Sequence, residues 1–158
     1  MSDRAGEIRI RPMCAADVDE VLEIAARLTV APHWPRSAYL RALDRELTPR
    51  RIALVATDPA GERVSGFVVA VLSPPEAELE SIGVAADFQR GGVGRRLMDA
   101  LASELGRAGI ERLYLEVRRS NAAAAGFYRA LGFVEAGVRA GYYTDPKEDA
   151  ILMELRIG

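Results

Sequence analysis

The sequence predicts a protein of the α/β class, one domain running from residue 1 to residue 158, and three observations carry that expectation. Strand-like and helix-like stretches follow one another in the order β-α-α-β-β-β-α-β-α-β-β. The stretch Leu79-Glu80-Ser81-Ile82-Gly83-Val84 alternates as a strand does, then feeds a glycine-rich turn that opens a long helix, on which Val93, Leu97, Ala100, Leu101, Leu105 and Ala108 recur at helical spacing. A length of 158 residues with 49% hydrophobic content is enough for one real core and too short for two ordinary domains.

The first strand is short: Ile8 and Ile10 alternate with Glu7, Arg9 and Arg11 and stop at Pro12. A helix follows over Ala16–Leu28, with Val18, Val21, Leu22, Ala25 and Leu28 on one face and Asp17, Asp19 and Glu20 near the start, where the helix dipole favours acids. Two prolines then interrupt helicity before Tyr39, Leu40, Leu43 and Leu47 begin a second helical face. Trp34, held between Pro32 and Pro35, either plugs the edge of the core or shapes a substrate groove. Ile52–Thr57 and Val64–Leu72 form a hairpin across Asp58-Pro59-Ala60-Gly61-Glu62, and Glu76–Val84 extends it into an antiparallel meander. On that third strand Glu76, Glu78 and Glu80 share a face, which is either solvated or an acidic wall beside a basic substrate. Gly83 marks a bulge or a close approach, and a bulge there would free the N–H near Val84.

The turn Gln89-Arg90-Gly91-Gly92-Val93-Gly94-Arg95 is chemically the most informative stretch. Three glycines in four residues leave backbone amides uncovered where a helix begins, and those amides lack intrahelical acceptors and carry the positive end of the dipole. Such a turn suits a phosphate or pyrophosphate. It is not a P-loop, because no Gly-Lys-Ser/Thr follows, and it fits the dinucleotide fingerprint poorly, since Leu97 stands where the third glycine belongs. Beyond the helix, which ends around Gly106 to Gly109, Ile110–Val117 reads as a strand. Ser120 or Asn121 then caps a slim helix that starts with four alanines and stops at Gly132. Phe133–Gly137 and Ala150–Arg156 are the last strands, with Tyr142 and Tyr143 in the loop between them.

Composition excludes several classes. A net charge of −2 gives no basic excess for binding nucleic acid by bulk electrostatics. Cys14 and His33 are single, which rules out an internal disulfide and a Cys/His metal site, and nothing places a base beside Cys14 for nucleophilic work. No apolar run is long enough to cross a bilayer and Met1-Ser2-Asp3-Arg4 does not begin an export signal, so a cytoplasmic protein is expected.

Gln89, Gly92 and Gly94 match the Gln/Arg-x-x-Gly-x-Gly/Ala pyrophosphate loop of the GCN5-related N-acetyltransferases, which the turn resembles. Glu116-Val117-Arg118, Ser120-Asn121-Ala122-Ala123-Ala124, Phe127-Tyr128, Leu131-Gly132-Phe133, Tyr142-Tyr143 and Glu148-Asp149-Ala150-Ile151-Leu152-Met153 are similar to the second half of one subfamily, the RimI-type ribosomal-protein-alanine N-acetyltransferases. The resemblance is dense from Leu79 onward and loose before it; the Trp34 loop is similar to a Pro-Trp segment of that subfamily. It implies a mixed sheet splayed between its fourth and fifth strands, with acetyl-CoA in the opening and coenzyme A as product. Pantetheine would run along Ile82, Gly83 and Val84, the pyrophosphate would lie on Gln89, Arg90, Gly91, Gly92, Val93, Gly94 and Arg95, and Asn121 and Tyr128 would sit near the thioester.

By the same resemblance Glu116 is the general base, or else a strand-end partner of Arg118 or Arg119. Tyr128 keeps its proton at neutral pH and can give it to a departing thiolate, or is a core aromatic. Tyr142 and Tyr143 line the acceptor groove or are ordinary turn aromatics, and Trp34 and Glu80 complete the candidate substrate set. The implied acceptor is a protein N-terminus, specifically the N-terminal alanine of the eighteenth small-subunit ribosomal protein. A terminal amine of pKa ~8 needs less deprotonation than a lysine near ~10.4. Lysine side chains or a small amine such as a polyamine or aminoglycoside are the alternative acceptors, and a non-catalytic acyl-CoA module is the alternative class. A monomer or weak dimer, without direct nucleic-acid or membrane contact, is expected.

Overall fold

The computed structural model of the chain describes residues 8–28, 33–61, 63–89 and 91–157. The strands are β1 (Arg9–Pro12), β2 (Arg51–Thr57), β3 (Val64–Ser73), β4 (Glu76–Val84), β5 (Arg112–Arg118), β6 (Val134–Thr144) and β7 (Lys147–Arg156). The helices are α1 (Val18–Ala26), α2 (Arg36–Ala42), α3 (Val93–Arg107) and α4 (Ala122–Ala130), with single 3-10 turns at Ala15–Asp17 and Ala86–Phe88. These strands join one sheet in the order β1-β2-β3-β4-β5-β7-β6. Every neighbouring pair is antiparallel except β4 and β5. Those two are joined through α3, the crossover that parallel strands require.

The sheet is covered on both faces because its strands alternate between two cores. Leu54, Val68, Leu79 and Ile82 meet Leu97, Leu101 and Leu105 of α3 on one face. Val55, Phe67 and Val69 meet Val18 and Val21 of α1 and Tyr39 of α2 on the other. Each of the fully buried leucines on α3 contributes about 1.5–3 kcal/mol of transfer free energy, so that helix is the main anchor of the sheet.

Strand β4 changes phase part-way along. Val69 pairs with Ser81 but Ala70 pairs with Leu79, so Glu80 is an extra residue bulged out of the ladder. Before it Ala77 and Leu79 face α3; after it Ile82 and Val84 do. Glu80 and Ser81 both turn to the α1–α2 face, where Arg51 Nε donates to Glu80 Oε1 (2.7 Å) and the Tyr39 and Ser81 hydroxyls lie 3.3 Å apart. The bulge expected at Gly83 is therefore three residues earlier, and Gly83 pairs in register with Phe67. Gly83 is instead a close-approach position: a Cβ there would stand 2.7 Å from Leu28 Cδ1 and 2.8 Å from Phe67 Cε1.

Beyond the bulge β4 and β5 part. Their parallel ladder holds for three pairs, Glu76–Arg112, Ala77–Leu113 and Glu78–Tyr114, and then stops. The expected splay between the fourth and fifth strands is present. Two other boundaries differ from expectation. The second helix ends at Ala42, short of Leu47, which is exposed. Tyr142 and Tyr143 belong to strand β6, not to a loop, because β6 and β7 run on as a long hairpin to Thr144–Lys147.

Replacing Gly83 by Ala overpacks the junction of β4, β3 and Leu28. Urea unfolding should show a loss of about 1–3 kcal/mol; an unchanged midpoint would contradict the close approach.

Candidate active site

The gap has two ends. At one end α3 begins with Gly92 in the left-handed region (φ 82°), a conformation that a side chain would strain. The first bond of the helix runs from the Arg96 N–H to the Gly92 carbonyl (3.0 Å), so the amides of Val93, Gly94 and Arg95 precede the helical ladder. They face a cavity of about 510 Å³ lined by Leu28, Val84, Gly92, Gly94, Phe127 and Leu131. A Cβ on Gly94 would project to 3.7 Å from both Val84 and Leu131, filling the cavity floor. Gln89 closes the turn onto the strand, donating from Nε2 to the Val84 carbonyl (3.1 Å). The Arg95 guanidinium is spent on the Ala130 and Leu131 carbonyls, tying the end of α4 to the start of α3. Gly91 approaches the Phe88 carbonyl through its N–H (3.3 Å), and Arg90 lies outside the described residues.

Strand geometry supplies the lining of the gap itself. Ala85 N–H donates to the Ser65 carbonyl (2.8 Å), which fixes the parity of the β3–β4 ladder. By alternation the amide and carbonyl of Ile82 and of Val84 turn away from β3, toward the space that β5 has left. The Val84 N–H thus faces the gap through ordinary strand parity, with no bulge beside it.

At the other end a cavity of about 430 Å³ is lined by Glu76, Glu78, Tyr114, Glu116, Arg139 and Leu152. Glu116 sits on β5 two residues past the last β4–β5 pair, opposite Leu152 of β7. Its carboxylate is 15% exposed and lies 3.3 Å from Arg139 Nε. Burial raises the Glu78 pKa above the ordinary carboxylate range, and the charge of Glu116 across the gap adds to it. Glu116 beside the Tyr142 hydroxyl holds the phenol proton on and raises its pKa. Tyr143 is raised chiefly by burial and next by Glu116, while the Arg118 guanidinium stacked 4.2 Å from its ring opposes the shift.

Tyr128 is on the buried face of α4, edge-on to Phe133 at 5.8 Å. Burial, with Tyr143 as the nearby charge, pushes its pKa up to about 12. Tyr143 is therefore within electrostatic reach of both Tyr128 and Glu116. Glu116 and a phenol that keeps its proton are thus linked through Tyr143.

Residues 18–133 match the model of the acetyltransferase (GNAT) family. This chain belongs to the GNAT family. It is 35% identical over 150 residues to the N-alpha-acetyltransferase RimI of Mycobacterium tuberculosis, covering 92% of this chain and 90% of that one. It is 46% identical over 97 residues to the [ribosomal protein bS18]-alanine N-acetyltransferase of Escherichia coli, a match spanning 60% of this chain and 66% of that one. The crystal structure of the ribosomal-protein-S18-alanine N-acetyltransferase from Escherichia coli superposes with a TM-score of 0.75 at 35% identity, covering 96% of this chain and 94% of that one.

Val84, Gly92 and Gly94 thus line the cavity at the α3 mouth and Glu116 the cavity at the other end of the gap. Ile82 is on the β4 edge, Tyr142 and Tyr143 are within electrostatic reach of Glu116, and Tyr128 is within reach of Tyr143. Other expected residues take positions beside the gap. Trp34 packs on Tyr39 (5.1 Å) at the edge of the α1–α2 core. Glu80 is held by Arg51 (2.7 Å). Asn121 is the cap of α4, accepting from the Ala124 N–H (3.0 Å). Among the described residues no group of His, Cys, Asp and Glu is arranged to hold a metal ion, and no helix is long and apolar enough to cross a membrane. Sequence reasoning missed Arg139, Phe127 and Leu131; the last two occupy cavity-facing turns of a helix whose register the alanine run obscured.

A phenol with a pKa raised to about 12 binds its proton more tightly folded than unfolded. Stability linked to Tyr128 is therefore fully present below pH 10 and lost as the pH rises through 12. Phenolate absorbance should show one late transition near 12 that Tyr128→Phe removes; titration of every tyrosine near 10 would contradict the burial argument.

Proposed function

We propose that this chain transfers an acetyl group from acetyl-CoA to the free α-amine of a protein N-terminus, and that the acceptor is the N-terminal alanine of a small-subunit ribosomal protein. The observation that carries the reading is the pairing of two cavities at the two ends of one splay, a backbone-amide mouth at α3 and a carboxylate–tyrosine cluster at Glu116. One relative named as a ribosomal-protein bS18-alanine N-acetyltransferase and another named as an N-alpha-acetyltransferase support the acceptor.

The residues fit the donor. The amides of Val93, Gly94 and Arg95, with the helix dipole behind them, suit a diphosphate, and the bare Gly92 and Gly94 leave room for it. The Val84 N–H and the Ile82 carbonyl are open at the strand edge to the amides of a pantetheine arm, the Val84 carbonyl being held by Gln89. Acetyl-CoA, when bound, supplies an activated acyl carbon and a thiolate leaving group.

Each chain residue then has one task. Glu116 takes the proton of the attacking amine, directly or through a water, as the N–C bond forms. The Ile82 N–H, one strand period nearer the Glu116 end than Val84, offers a hydrogen bond to the acetyl carbonyl oxygen, where charge develops. Tyr128 keeps its proton at neutral pH and offers it from Oη to the sulfur as a hydrogen bond while the C–S bond breaks, the proton passing to the thiolate as negative charge develops there. A terminal amine, with pKa ~8, is already partly neutral, so a modest base suffices.

Thiol release with acetyl-CoA and an Ala-initiated basic peptide tests this, with a panel of first residues and an acetyl-capped, lysine-containing control. Transfer confined to free N-termini is expected. Tyr128→Phe should lower kcat about 10²-fold or more while leaving coenzyme A affinity within about twofold, and Glu116→Gln should lower kcat comparably and abolish the acid limb of the pH–rate profile. Full activity in both variants, or transfer only to the lysine control, would contradict the assignment.

A further inference from the structure

Glu116 is capped in this structure by another side chain of the chain. Arg139 Nε stands 3.3 Å from Glu116 Oε1, with the arginine 58% exposed and the carboxylate 15% exposed, so the guanidinium lies over the carboxylate from the solvent side. Arg139 is also 5.6 Å from the centroid of the Tyr142 ring. Both partners line the cavity at the Glu116 end of the gap, where the acceptor amine must arrive. The charges around it do not balance: among the described residues Glu78 and Glu116 line it against the guanidinium of Arg139, while Glu76, which also lines it, has Arg112 beside it. Neighbouring charges are already matched, since Glu80 pairs with Arg51 and Arg118 with Glu148. The cavity therefore has places for more positive charge than it holds.

The backbone under Arg139 is held on one side only, because β6 is the edge of the sheet. Just past Arg139 its ladder with β7 breaks. Between the pairs Arg139–Ala150 and Tyr143–Glu148, the residues Ala140, Gly141 and Tyr142 oppose the single Asp149. Gly141 takes a left-handed conformation (φ 62°) and its N–H donates to Asp149 Oδ1 (2.8 Å). This three-residue bulge presents Arg139 and Tyr142 beside Glu116 together.

We propose that Arg139 stands in for the acceptor's ammonium and sets acceptor specificity: its guanidinium occupies the cationic position beside Glu116 and Glu78 until the N-terminal ammonium of a peptide takes its place. The inference rests on the acetyl-transfer reading above. A rim ion pair with an exposed guanidinium is weak, so exchanging one cation for another is easy. A neutral or bulky amine that enters without replacing Arg139 gains no contact with Glu116. The ammonium that does replace it arrives within reach of the base. Glu78, across the gap from Glu116, is then the second carboxylate that holds the arriving charge.

Peptide kinetics at saturating acetyl-CoA test the exchange in the native protein, Arg139→Ala and Glu78→Gln, with guanidinium chloride as the probe. Arg139→Ala should lower the peptide KM about two- to fivefold. It should also become inhibited by millimolar guanidinium, competitively with peptide, while the native protein is not. Glu78→Gln should raise the peptide KM by a similar factor with kcat within about twofold of native. Calorimetric coenzyme A affinity equal to native in each variant shows that the fold is intact. A raised KM in Arg139→Ala, or guanidinium that does not compete with peptide, overturns the stand-in role while leaving the acetyl-transfer reading in place. A native protein that binds coenzyme A and acetylates no peptide overturns both.

Discussion

A parallel pair of strands that separates after Glu78–Tyr114 leaves the inner edges of both without ladder partners, and backbone amides left so must find others. The site is built from that requirement. On the β4 side Ile82 and Val84 turn their polar groups into the space; on the β5 side Glu116 is the next residue past the break on the acceptor face. The helix that connects the two strands starts at one mouth of the gap, so its uncommitted amides lie beside the same opening.

The separation is maintained by contacts on both faces. The extra residue at Glu80 shifts the alternation of β4, and it is fixed in place by Arg51 from β2 and by the Tyr39–Ser81 contact from α2. Arg95 ties α3 to the end of α4, and Glu148 accepts from the Ser120 N–H and pairs with Arg118, which holds the β6–β7 hairpin against the turn that leads into α4. The opening is therefore framed by ion pairs and caps that span elements far apart in sequence. Its walls are also unlike in character: apolar with backbone donors at the α3 mouth, charged and phenolic at the Glu116 mouth, as suits an anionic, amphiphilic donor at one end and a cationic acceptor at the other.

Much of this arrangement is legible in the sequence. The element order follows from periodicity, because α3 and the β2–β3–β4 meander carry strong patterns and clear turns. The amide mouth at Gly91–Gly94 follows from composition alone, and the cap of α4 from Asn121 before an alanine run. What the sequence hides is set by contacts between distant residues. Gly83 is the residue that sequence logic selects for a bulge, yet the irregularity sits at Glu80, where a buried hydroxyl contact and an arginine from another strand compensate it. Tyr142 and Tyr143 read as a turn because Asp145-Pro146 follows, whereas the break in β6 lets the strand continue past its own bulge. Arg139 gives no signal at all: an arginine on an edge strand is ordinary until the fold brings Glu116 beneath it.

A crystal structure of this chain with coenzyme A tests the central claim most directly. The account predicts the diphosphate on the Val93–Arg95 amides, the pantetheine arm threaded between β4 and β5 against Ile82 and Val84, and the thiol emerging between Tyr128 and Glu116. Coenzyme A seated elsewhere on the sheet, with β4 and β5 closed over the gap, would contradict it.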